Sequence, residues 1–276
     1  MRGLGAIIKR NMTNFTRDRM RLVLTIFMSV FFLFIFSFVM KGNAFGGAAQ
    51  PLNYLISGII IMTVFQSALN NSTGILDDMA NGFMKEIIVS PVARWQISIG
   101  QVLSATIIAT VQGLIVIIIG LFMGLRIDVL QFVQMFMVMV AVGLTFSSIG
   151  LYLATLAKSS TTFQLMINIF IMPLTFLSGA YIPTTMMPKI IRPLIYLNPL
   201  TYTTAIFRYI TLKMQSLSAA ELLNSGVAFD IYGFVVKPYM GLFVIAVMGL
   251  LFFALCVKQF NKADFSQVKV FDHHSM

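Results

Sequence analysis

Thr63, Gln66 and Asn70 stand three and four residues apart inside a long uncharged stretch, a spacing that puts three hydrogen-bonding side chains on one face of a helix. Gln164, Asn168 and Thr175, at offsets of four and eleven, form a second such stripe, and Asn71 lies one position off the first. Amides are unfavourable against lipid, so both stripes should face protein or water. Their chemistry is neutral hydrogen bonding: they would guide a solute along a pathway walled by bulky apolar residues such as Phe65 and Phe170. The competing reading is hydrogen bonding between helices with no solute contact.

Chemistry that needs charge has no place in these stretches. Asp, Glu, Lys, Arg and His are absent from every predicted span, so proton relays, ion ligands and intramembrane hydrolysis lack their residues. His273 and His274, the only histidines, sit near the C-terminus and are too few for a metal site; Cys256 is the single cysteine and excludes an intrachain disulfide. No G-x-x-x-x-G-K-[ST] phosphate loop occurs, so any work done on a solute must be supplied by a partner protein.

The charged chemistry that does exist lies between spans. Asp77 and Asp78 open a short amphipathic segment, as suits the positive end of a helix dipole, and Pro91 should end its helix near Ser90. Gly82, Phe83, Lys85, Glu86 and Arg94 complete its mixed surface. A helix of this kind can fit an apolar groove on a soluble partner and carry force to the spans; a plain interfacial connector is the alternative.

These groups must be held by elements that lipid dictates. A bilayer core about 30 Å thick takes about 20 apolar residues in a helix, and a charge at its centre costs about 2.5–3.5 kcal/mol. Residues 95–125 hold no ionisable side chain, and uncharged stretches cover 22–40, 42–76, 129–157, 159–188 and 239–257. Mean hydropathy is +0.91 and charged residues make up 10%, far below the soluble norm of about 25%. The reading is an all-α integral membrane protein with six transmembrane helices near 22–40, 52–76, 97–125, 129–157, 161–180 and 239–257. The first apolar run follows a polar lead and shows no small-x-small cleavage pattern, so it should remain as an anchor rather than leave as a signal peptide. The net charge of +10 does not point to nucleic acid, because the basic residues flank the apolar runs, where anionic lipid attracts them.

Lys and Arg also orient the chain. With the N-terminus inside, Arg2, Lys9, Arg10, Arg17, Arg19, Arg21, Lys85, Arg94, Lys158, Lys258, Lys262 and Lys269 are cytoplasmic. Lys41, Arg126, Lys189, Arg192, Arg208, Lys213 and Lys237 are outside, mostly in one long loop. Both termini are therefore expected in the cytoplasm, with 258–276 as a tail. Over 4–21, Leu4, Ile7, Ile8, Met12 and Phe15 share one helical face and basic residues the other, which reads as an interfacial helix on the inner leaflet.

On the outer side, apolar stretches broken by Pro183, Pro188, Pro193 and Pro199 suggest two short helices across 181–214 that enter the outer leaflet and return. Thr201 is expected to cap the second, and Ser218-x-x-Glu221 reads as a capping box for a further helix. Gly120-x-x-x-Gly124 permits close helix approach within one subunit. The 20 Met and 26 Phe mostly fill the membrane interior.

Two blocks resemble the permeases of the ATP-binding-cassette type-2 exporter family. One is Gly82-Phe83-Met84-Lys85-Glu86-Ile87-Ile88-Val89-Ser90-Pro91-Val92-Ala93-Arg94, similar to the pattern G-[FT]-x-[ED]-x-[IL]-x-x-[ST]-P-[VI]-x-R, with Lys85 near a position where an acid is common and Glu86 beside it. The other runs from Leu177-Ser178-Gly179 through Tyr181, Pro183 and Pro188 to Asn198-Pro199-Leu200-Thr201-Tyr202 and Arg208. The resemblance covers nearly the whole chain and is nearest to exporters of the daunorubicin-resistance kind.

The resemblance implies one permease domain over 1–276, a second permease copy or sister permease, and two ATPase subunits that bind the ATP and Mg; the chain itself holds no cofactor. It implies that 4–21 is a connecting helix, that 77–90 is the coupling helix on the ATPase, and that 181–214 gates exit, with Gly179, Tyr181, Pro183, Pro188, Asn198, Pro199 and Tyr202 at the outer gate. The expected role is outward movement of a hydrophobic or amphipathic small molecule across a bacterial cell membrane. Export of a lipid-linked polysaccharide, a channel or secondary transporter working alone, and a membrane scaffold or receptor are the alternatives.

Overall fold

Lipid cannot satisfy peptide N–H and C=O groups, so apolar spans close their hydrogen bonds internally as helices. The computed structural model describes residues 2–42, 51–80, 93–157, 159–231 and 233–262. Its principal helices are α1 Arg2–Arg17, α2 Arg19–Gly42, α3 Pro51–Asn70, α4 Gly74–Ala80, α5 Arg94–Phe122, α6 Val129–Leu156, α7 Ser160–Leu177 and α11 Pro238–Lys262. Between α7 and α11 lie the short helices α8 Arg192–Leu197, α9 Pro199–Thr211 and α10 Ala219–Asn224, then a two-stranded antiparallel hairpin, β1 Phe229–Ile231 and β2 Phe234–Val236.

Among the described residues, five helices are long and apolar enough to cross a membrane: Asn53–Asp78, Trp95–Phe122, Val129–Leu156, Ser160–Leu177 and Pro238–Gln259. The sixth expected span falls on α2, which is helical over Arg19–Gly42 and apolar over Val23–Ile35 among the residues whose side chains are described. The small hairpin departs from the all-α expectation; its register pairs Phe229 with Val236 and Ile231 with Phe234.

α3 is the hub. It packs on α2, α5, α6 and α9, while α11 lies against α6 and α9. Small residues bring the backbones together: a Cβ on Gly150 would strike Ser72, and one on Gly249 would strike Thr145. Hydroxyls tie the same seams, with Ser72 Oγ donating to Ser147 O at 3.2 Å and Thr145 Oγ1 to Ile245 O at 3.1 Å. Phe65 meets Phe146 edge to face, ring centres 4.6 Å apart, at the centre of the core. By contrast α7 and α11 are largely uncovered, exposing Leu165, Ile169, Met172, Phe243 and Leu250.

Three expectations change. α1 is amphipathic, but Ile7 and Phe15 on its apolar face are buried and the helix packs on α5, with Ile7 seated over Gly100. Protein takes part of that face, on which Leu4, Ile8 and Met12 stay half-buried. Asp77 stands in the first turn of α4, as expected of an acid near a helix start, but α4 begins at Gly74 and continues span two through a 3-10 turn, Asn71–Thr73, instead of starting a separate segment at the acids. Of the Gly120/Gly124 pair only Gly120 lies in close contact, against Ile56; Gly124, at φ +105°, is the left-handed stop of α5, with Leu125 N bonded to Gly120 O at 2.9 Å.

Candidate functional site: a polar cavity, its outer cap and its inner brace

A cavity of about 250 Å³ opens between α2 and α3. Thr63, Gln66, Asn70 and Asn71 supply one polar wall, Ser29 and Gln112 add to it, and Leu24, Met28, Phe32 and Met62 supply the apolar side. The helical period of α3 explains the wall, and polar contacts fix it: Thr63 Oγ1 donates to Ile59 O at 2.9 Å and lies 3.2 Å from Ser29 Oγ, while Asn71 Nδ2 donates to Ser67 O at 2.8 Å. Among the described residues, no side chain lining it carries a formal charge at neutral pH, and Tyr181 contributes a phenol. Such a surface can exchange hydrogen bonds with a neutral polar group and hold an apolar body beside it.

Other expected pathway residues lie elsewhere. Phe65 is one position from Gln66, hence about 100° around the helix, and points into the core against Phe146. Gln164, Asn168 and Phe170 are exposed on α7, whereas Thr175 is buried and its hydroxyl finds no hydrogen-bond partner among the described residues. The second stripe therefore does not join the first. α7 touches the rest of the chain along a narrow seam through Phe163, Ile167 and Thr175, and the amides fall outside it.

The segment after α7 folds against the cavity. Gly179, at φ +79°, turns the chain after α7. Tyr181 then stacks on Phe32 of α2, ring centres 5.8 Å apart. Asn198, not Thr201, caps α9: Asn198 Oδ1 accepts from Leu200 N at 2.9 Å, with Pro199 at the first helical position. Thr201 sits inside the helix and donates to Leu177 O at 3.3 Å. Asn198 Nδ2 also donates to Leu174 O at 2.8 Å, and the Tyr202 hydroxyl to Tyr196 O at 2.7 Å. Every residue of α9 is buried. Pro183 precedes the 3-10 turn Thr184–Met186, and Pro188 precedes Lys189–Ile191. The Ser218–Glu221 capping box is present: Ser218 N donates to the Glu221 carboxylate at 2.7 Å, and that bond holds the Glu221 carboxyl below its usual range. A second box, Asp128 with Gln131, starts α6 and was legible as D-x-x-Q but not read.

Beneath the cavity lies a brace. Asp78 is buried, pairs with Arg10 of α1, and accepts from Gln101 Nε2 at 3.3 Å; Asn11 Nδ2 donates to Gln101 Oε1 at 2.8 Å. Asp78 thus faces α1 and α5 instead of a soluble partner, while the exposed Asp77 accepts from Ser160 Oγ of α7 at 2.8 Å. Gly82, Phe83, Lys85, Glu86 and Pro91 fall outside the described residues, as does the Arg94 side chain, so the docking surface itself does too. A double-mutant cycle on Arg10→Gln and Asp78→Asn, read by thermal unfolding in detergent, should give a coupling of about 1–2 kcal/mol; strict additivity would show that the pair is not formed in solution.

Five long apolar helices packed on one another define a polytopic helical membrane protein. The chain belongs to the ABC-2 type transporter family, whose family model matches residues 2–212. It is 25% identical over 264 residues to a putative transport permease, ycf38, of Cyanophora paradoxa, covering 92% of this chain and 88% of that one. It is 32% identical over 161 residues to the probable multidrug ABC transporter permease YbhR of Escherichia coli K12, a match spanning 58% of this chain and 41% of YbhR. The inner membrane transport permease YadH of the same strain is 27% identical over 180 residues, 62% of this chain and 70% of YadH.

Proposed function

We propose that the chain is the membrane subunit of an ATP-driven exporter that moves a hydrophobic or amphipathic compound out of the cell, powered by separate ATPase subunits that bind the ATP and Mg. The observation that carries this reading is the cavity between α2 and α3, whose polar wall is uncharged and whose opposite wall is apolar. Such a site suits a drug-like or lipid-like solute, and the similarity to YbhR, a probable multidrug ABC transporter permease, supports the same class.

The complex would hold two permeases and two ATPases. The exposed face of α7, with the amides of Gln164 and Asn168 set among Leu165, Ile169, Met172 and Phe176, supports a second permease as its cover, since amides are unfavourable against lipid. The segment 81–92 would dock on the ATPase. The brace through Arg10, Asp78 and Gln101 would tie its motion to α1 and α5. Both termini and α1 would lie in the cytoplasm of a bacterial cell, and 179–202 would gate exit.

Export assays of the complex in proteoliposomes test this. Gln66→Ala should change the ranking of transported compounds while assembly with the ATPase stays intact. Unchanged transport of every compound tried would reject the cavity as the path.

A further inference from the structure

Arg208 is 2% exposed, and among the described residues no carboxylate pairs with it. A buried cation without a counter-charge is unfavourable, and a neutral side chain would ordinarily replace it. Its contacts show what it does instead. Nη1 donates to Gly179 O and Nη2 to Ala180 O, both at 2.9 Å, and the guanidinium lies 3.4 Å from the centre of the Tyr54 ring. The two carbonyls are consecutive. One planar fork therefore fixes the peptide plane immediately before Tyr181, and with it the direction in which the tyrosine leaves the backbone. Gly58 of α3 completes the clamp, because its missing Cβ makes room for Ala180 O.

Tyr181 is where the outer turn and the cavity meet. It lines the cavity and stacks on Phe32 across it. We infer that Arg208 is the positioning residue that holds Tyr181 as the cap of the α2–α3 cavity, so the end of the cavity beside the 178–183 turn opens only when that turn lifts. Its meaning for export rests on the proposed pathway, but the cap can be tested without transport.

The test uses the full chain, carrying Cys256→Ala, in lipid nanodiscs with a bulky membrane-impermeant maleimide. One reporter is Thr63→Cys, on the cavity wall. The other is Asn71→Cys, eight residues further along and about 12 Å towards α4. Tyr181→Ala and Arg208→Met should each raise labelling at Thr63→Cys by about tenfold, a change that a modest shift in the opening equilibrium produces. Labelling at Asn71→Cys should stay within about twofold. Arg208→Lys, which keeps the charge but not the fork, should fall between parent and Arg208→Met. If Tyr181→Ala labels like the parent, there is no cap. If both reporters rise together in the Arg208 variants, the residue only supports the fold and the inference fails. An unaltered export profile in Gln66→Ala would reject the pathway while leaving the cap intact, so the two failures are distinguishable.

Discussion

Gly58→Val is expected to destabilise the chain by about 3 kcal/mol, at the upper end of overpacking costs. The reason is what stands opposite. A Cβ at Gly58 runs into the backbone oxygen of Ala180, which Arg208 holds in place at 2.9 Å. A flexible side chain would swing aside; a carbonyl clamped by a buried guanidinium cannot. Valine adds two branches to the same clash, so α3 and the outer turn must separate. Thermal unfolding of purified protein in detergent measures it. A variant within about 0.5 kcal/mol of the parent would show that the helix and the turn are not in contact.

Phe65→Ala should cost about 3–5 kcal/mol, the range for removing a fully buried aromatic ring. Phe65 is fully buried and sits edge to face on Phe146, where the α3 and α6 backbones approach. Membrane insertion does not remove this cost, because a void inside a helix bundle loses dispersion contacts that lipid tails are too large to replace. Unfolding in denaturant reads the loss. The same variant separates core from pathway: if stability is unchanged while the ranking of exported compounds moves as in Gln66→Ala, Phe65 faces solute after all.

Much of the architecture was legible because lipid imposes a simple rule on composition. The uncharged stretches gave span limits within a few residues, such as 52–76 against Asn53–Asp78 and 239–257 against Pro238–Gln259. The spacing of Thr63, Gln66 and Asn70 was readable because a helical period fixes which residues share a face. Period alone does not say what the face meets. Gln164 and Asn168 share theirs, yet it lies beyond the narrow contact seam of α7. Phe65 differs from Gln66 by one position and by the whole distinction between core and cavity. The amphipathic pattern of α1 was equally plain, but a lipid surface and a groove on α5 select the same apolar face. Asp78 and Arg10 are 68 residues apart, and no local signal links them. Arg208 was readable as a basic residue of the expected outer segment and as part of the second family-like block, but not as a clamp, because its hydrogen-bond partners are backbone oxygens that leave no trace in side-chain identity.

The cavity wall has a consequence for how such a chain diversifies. Inserting α3 into a bilayer is set by the sum of its side-chain transfer energies, and a single ionised group there would add about 2.5–3.5 kcal/mol. Exchanges between Asn and Gln, or between Ser and Thr, at positions 63, 66, 70 and 71 move the donors and acceptors of the wall without adding an ionised group. If the cavity is the proposed path, membrane entry and cargo preference are thereby separable: a descendant could acquire new tastes by single-codon steps without relearning how to enter the membrane.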